Sequence, residues 1–116
     1  MAMKLPLAEH AFVDQSKIVD YLLSTTHPDG QTKARFFIGL GFDPNHWQKL
    51  AAALREVGTS NEVSASVQSV YGIRYVVDGV LDTPSNRSPR VRTVWILDPS
   101  NAGPRLITAY PLENRV

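Results

Sequence analysis

A histidine and a lysine flank one tight turn early in the chain, in the run His27–Pro28–Asp29–Gly30–Gln31–Thr32–Lys33. Lys33 falls in the first turn of the helix expected to follow, where unpaired backbone N–H groups already favour an anion. An imidazole that exchanges a proton near neutral pH, beside a fixed positive charge, suits cleavage of a phosphodiester. His27 would act as base or acid while Lys33 holds a non-bridging oxygen. The same residues also fit a purely structural part, with His27 hydrogen-bonded to a neighbouring carbonyl and Lys33 solvated.

A second cluster is Arg87–Ser88–Pro89–Arg90–Val91–Arg92–Thr93–Val94–Trp95, with no acid between Asp82 and Asp98. On a strand, Arg90 and Arg92 share a face with Val94, while Val91, Thr93 and Trp95 share the other. Two arginines on one face, Arg90 and Arg92, can grip a phosphate backbone, with Arg87 and Arg90 as candidate substrate contacts and Trp95 as a candidate base-stacking platform. Alternatively, the arginines protect an edge strand and Trp95 belongs to the core. Alternation also places Thr108 and Tyr110 on one face with Leu106, a hydroxyl pair that could position phosphate oxygens. The histidines at 10, 27 and 46 show no metal-ligand spacing. Gly39–Leu40–Gly41 is not a phosphate loop, and no Walker or nucleophile-elbow motif is present. No metal or other cofactor is expected.

The elements that must position these groups follow from periodicity. Asp14 or Ser16 caps a short helix with Ile18, Tyr21 and Leu22 on one apolar face. A second helix covers Lys33 to Leu40 and stops at Gly41. A third starts at Asp43–Pro44, carries Trp47, Leu50, Ala51, Leu54 and Val57, and ends at Gly58. The period then becomes two: Val63, Ala65 and Val67 alternate with serines and Gln68, and Tyr71–Gly72 turns into Ile73–Val77. Asp82–Pro89 reads as a loop, Val91–Leu97 as a strand, Asp98–Pro104 as a turn and Leu106–Tyr110 as the last strand. The expected fold is α+β: two or three N-terminal helices (about 14–58) packed on a C-terminal four-stranded antiparallel sheet (about 62–111). At 116 residues, with 43% hydrophobic and 20% charged, one domain spanning 1–116 is expected.

Composition excludes several chemistries. With no cysteine there are no disulfides, thiolate metal sites or cysteine nucleophiles. A net charge of +1 gives no global grip on nucleic acid, so only a local patch can supply one. No run of about 20 apolar residues marks a membrane span, and the start lacks an apolar signal core, so a cytoplasmic product is expected.

Taken together, Lys17…Tyr21–Leu22–Leu23, His27 to Phe37, Leu40–Gly41–Phe42, Trp47…Leu50, Arg92–Thr93–Val94–Trp95 and Thr108–Ala109–Tyr110–Pro111 resemble a small bacterial family of uncharacterised domains. The likeness runs from about residue 5 to 112. More loosely, helices before a four-stranded sheet with a His/Lys turn resemble the endoribonuclease toxins of the barnase, EndoU, colicin and RelE types. That resemblance implies metal-independent RNA cleavage through a 2′,3′-cyclic phosphate. His27 would transfer protons, Lys33 and Arg92 would hold the phosphate, and Thr108 and Tyr110 would line the site. It also implies an RNA substrate and a small antitoxin or immunity protein as partner. A non-catalytic protein- or RNA-binding module is the alternative.

Overall fold

The switch from helical to alternating periodicity near residue 60 is the main division of the structure, a computed structural model that describes residues 3–100 and 102–112. Asn101, placed by the sequence in a turn, lies outside the described residues, as do positions 1–2 and 113–116.

Helix α1 (Gln15–Lys17) widens into a π turn (Ile18–Leu22), in which the Leu23 N–H donates to the Ile18 carbonyl at 2.7 Å. Ile18 and Leu22 go into the core. Helix α2 (Gln31–Gly39) buries Ala34 and Phe37. Gly41 at φ 98° lets the Phe42 N–H reach the Phe37 carbonyl and the Gly41 N–H reach that of Ile38. This is a Schellman stop, and it ends α2 one residue before the expected Leu40. Asp43 accepts the Asn45 N–H at 2.9 Å and starts a 3-10 turn (Pro44–His46) that leads into α3 (Trp47–Ser60). Gly58 does not end α3. It is buried inside the helix, where an added Cβ would overlap the Trp95 indole.

The sheet is an antiparallel meander in the order β1 (Val63–Ser69), β2 (Gly72–Val80), β3 (Arg90–Leu97), β4 (Arg105–Pro111). Gly72 at φ 129° turns the first hairpin. Helix α3 packs on β2 and β3, and Trp95 is fully buried there. Its indole N–H donates to Thr93 Oγ1 at 2.8 Å, and the Thr93 hydroxyl donates to the Val77 carbonyl at 2.7 Å. The two buried polar side chains therefore satisfy each other.

One irregularity decides which face carries the last strand's hydroxyls. Trp95 pairs with Leu106 but Val94 with Thr108, so Ile107 is an extra residue in β4. The bulge resets the alternation. Leu106 and Ala109 point into the core, while Thr108 and Tyr110 join Val94 and Arg92 on the other face. The expectation that Thr108 and Tyr110 share a face with Leu106 is thus corrected, because strict alternation does not survive the inserted residue.

The N-terminal segment lies along the outer edge of β4. Phe12 bridges Arg105 in parallel, its N–H donating to the Pro104 carbonyl at 3.0 Å and its carbonyl accepting the Leu106 N–H at 3.1 Å. Helices α1 and α2 also pack on β4. No helix among the described residues is long and apolar enough to cross a membrane.

Candidate functional site

Tyr21, on the π turn, is where three segments meet. Its hydroxyl lies 3.2 Å from Thr108 Oγ1 on β4. Its ring meets His27 edge-on, with centroids 5.0 Å apart. The Lys17 ammonium sits 4.9 Å from the ring centroid and that of Lys33 5.4 Å. Lysine four residues before tyrosine on a helical stretch brings the first of these cations over the ring. Burial acts to raise the phenol's pKa. The bond with Thr108, the nearby Lys33 ammonium and the charge of Lys17 outweigh it and hold Tyr21 below the ordinary tyrosine range.

His27 is half-buried, and it builds the turn. Its Nδ1 accepts the N–H groups of Asp29 at 3.0 Å and Gly30 at 3.1 Å. An imidazole here does what an aspartate or asparagine does at a helix start. Double acceptance at Nδ1 fixes the neutral Nε2–H tautomer, assigned from the hydrogen-bond network. The structural alternative foreseen from sequence, a bond to a carbonyl, is replaced by these two bonds from amides. Gly30 is required because a Cβ would overlap the Tyr21 carbonyl. The Lys33 ammonium donates to the Asp29 carbonyl at 3.3 Å.

Lys33 also lines a groove of about 340 Å³ with Thr32, Phe36, Tyr110 and Pro111. Tyr110 pairs across the strands with Arg92. The Arg92 guanidinium makes two bonds of 2.9 Å to the Asp78 carboxylate. Asp78 foremost, and then the Tyr110 hydroxyl, raise the pKa of Arg92. Fold and bulge thus bring His27, Lys33, Thr108 and Tyr110 into one neighbourhood, with Arg92 at its margin behind Tyr110.

The other candidates lie elsewhere. Arg87 donates to the Gly39 carbonyl at 3.1 Å, tying the long loop to the end of α2. Arg90 borders a polar groove with Lys4, Asn61, Glu62 and Asp78, close to the start of β1. Trp95 has no exposed surface, so it is a core residue and cannot stack on a base. The three arginines, close in sequence, are dispersed because the loop leads Arg87 away and pairing with β2 sets Arg92 against Asp78. Sequence reasoning missed Tyr21, Lys17 and Asp78. The Lys17-x₃-Tyr21 spacing was a signal for the first two, and hairpin register for the third.

A family model for a domain of unknown function matches residues 4–113. The chain belongs to the DUF6883 family. Comparison with curated protein sequences returns no significant match. Among solved structures, a chain from the "Contact-dependent growth inhibition toxin - immunity protein complex from Klebsiella pneumoniae 342" is similar, with a TM-score of 0.71. It is 19% identical, and the alignment covers 93% of this chain and 98% of that one. At that identity the likeness is one of fold.

Proposed function

We propose that residues 1–116 act as one domain, a metal-independent endoribonuclease-like toxin that works in the cytoplasm and is held by a small immunity or antitoxin protein. The observation that supports it most is the gathering of Lys17, Tyr21, His27, Lys33 and Thr108 from three separate segments at one edge of the sheet. Two ammonium groups, an imidazole N–H and hydroxyls around one point suit a phosphodiester whose charge grows in the transition state. In this reading the RNA's 2′-oxygen attacks phosphorus, the bond from phosphorus to the 5′-oxygen breaks, and a 2′,3′-cyclic phosphate remains. Lys33 holds a non-bridging oxygen. Tyr110 lines the approach, and Arg92, already engaged by Asp78, orients Tyr110. The toxin–immunity complex among structural neighbours supports the toxin reading and the kind of partner.

Induced expression in a bacterial host tests it. Wild type should arrest growth with loss of RNA, and Lys33→Ala at equal protein level should relieve the arrest. Growth unaffected by the wild type would refute the toxin reading.

A second reading, a non-catalytic binding module, is favoured by a different surface. Residues 63–73 carry no charge, and Val67, Val70 and Tyr71 are 60%, 93% and 72% exposed. Among the described residues, the N-terminal segment bridges only the start of this edge, at Lys4 and Glu62. An uncharged, exposed edge strand accepts a partner's strand readily. That the structural neighbour comes from a toxin–immunity protein complex is in keeping with a binding role. A partner that binds wild type but not a Val67→Lys variant would support it. Equal binding to both would remove it.

A further inference from the structure

We propose that Tyr21, rather than His27, transfers the proton in this site, and that His27 stays a neutral donor through Nε2–H; this rests on the phosphodiester reading above. Two backbone N–H groups aim at Nδ1 of His27. For His27 to work as a base, its Nε2 must be bare and its proton moved to Nδ1. For it to work as an acid, both nitrogens must be protonated. Either state points an N–H at two other N–H donors and removes the two side-chain bonds of the turn, leaving only the backbone bonds from Gly30 and Gln31 to the His27 carbonyl. A proton-cycling His27 would therefore weaken, at each turnover, the turn that positions Lys33. Held neutral, it offers one donor at Nε2, which has no partner among the described residues.

Tyr21 is built differently. The titratable groups facing it are Lys17 from α1, His27 from the turn and Lys33 from α2, while β4 contributes the Thr108 hydroxyl. Two cations and a hydroxyl that can donate all favour the phenolate. Neither cation has a carboxylate bonded to it among the described residues. The π turn gives this segment its width, and such turns are frequent at functional sites.

The step balances with the groups of this site and water. The Tyr21 phenolate takes the proton of the 2′-hydroxyl, and the 2′-oxygen forms its bond to phosphorus. The bond from phosphorus to the 5′-oxygen breaks, and the leaving oxygen takes a proton from water while Lys33 keeps its charge on the non-bridging oxygen. The hydroxide so formed takes the proton of the Tyr21 phenol, restoring the phenolate and the water.

The experiment compares wild type, Tyr21→Phe and His27→Asn by RNA cleavage against pH and by tyrosinate absorbance in a pH titration. Asparagine at 27 keeps an oxygen to cap the turn but lacks the outward N–H. As the phenol ionises, cleavage should rise with pH along a limb below the ordinary tyrosine range of about 10. Tyr21→Phe should lose that limb and about 10²–10⁴ in rate. His27→Asn should lose about 10² in rate, the value of one donor, and keep the limb. In the titration, one of the four tyrosines should ionise ahead of the rest in wild type and His27→Asn, and not in Tyr21→Phe. A limb that disappears in His27→Asn and persists in Tyr21→Phe overturns the assignment, as do four tyrosines that ionise together. Wild type that leaves RNA intact overturns the endoribonuclease reading and the step with it. The titration still decides whether the phenol is activated.

Discussion

Thr93 links two requirements in the core, accepting from the Trp95 indole and donating to the Val77 carbonyl. Thr93→Val keeps the shape but leaves the buried indole N–H without an acceptor. The expected loss is about 1–3 kcal/mol, read as a lower midpoint at unchanged slope in urea unfolding. Arg92 is a weaker contributor. Its side chain is 36% exposed and that of Asp78 16%, so solvent screens the pair. Arg92→Ala should cost about 1 kcal/mol or less in the same measurement. At this scale the sequence identified residue types well but not their surroundings. Alternation put Val91, Thr93 and Trp95 on one face, yet alternation cannot say which face the helices cover. Trp95 therefore read equally as platform or core. Tyr21 suffered the reverse: its helical spacing to Ile18 and Leu22 marked it as apolar, which hid the two lysines that converge on its ring.

The elements themselves were largely legible. Three helices before a four-stranded meander follow from periodicity, the Asp43–Pro44 start and the glycine-rich turns. Two glycines show where local rules stopped working. Gly39, at the end of α2, has nothing within 4 Å of an added Cβ, whereas Gly58 faces the indole of Trp95. Gly39→Ala should stabilise by about 0.5–1 kcal/mol through helix propensity and chain entropy. Gly58→Ala should destabilise by about 1–3 kcal/mol through overpacking. Thermal unfolding of the two variants separates a propensity glycine from a packing one. The bulge at Ile107 was not legible at all, since an extra residue in one strand leaves no mark until its partner strand is known. Yet it turns Thr108 toward Tyr21 and Tyr110 toward Arg92.

Over the whole molecule, the two edges of the sheet are treated differently. The β4 edge is wrapped by the N-terminal segment, α1 and α2, and the candidate site forms in that wrapping. The β1 edge carries the uncharged, exposed hairpin. The proposed chemistry at one edge and the proposed binding surface at the other can therefore be tested separately by mutation. The near-neutral net charge of +1 fits a candidate site whose cations gather around one ring, that of Tyr21, rather than spread over a face. The central claim meets its most direct test in purified protein incubated with total RNA in excess chelator, the product ends being analysed. Fragments ending in 2′,3′-cyclic phosphate, absent with Lys33→Ala, are the predicted result. Intact RNA, or cleavage that starts only when a divalent metal is added, would contradict it.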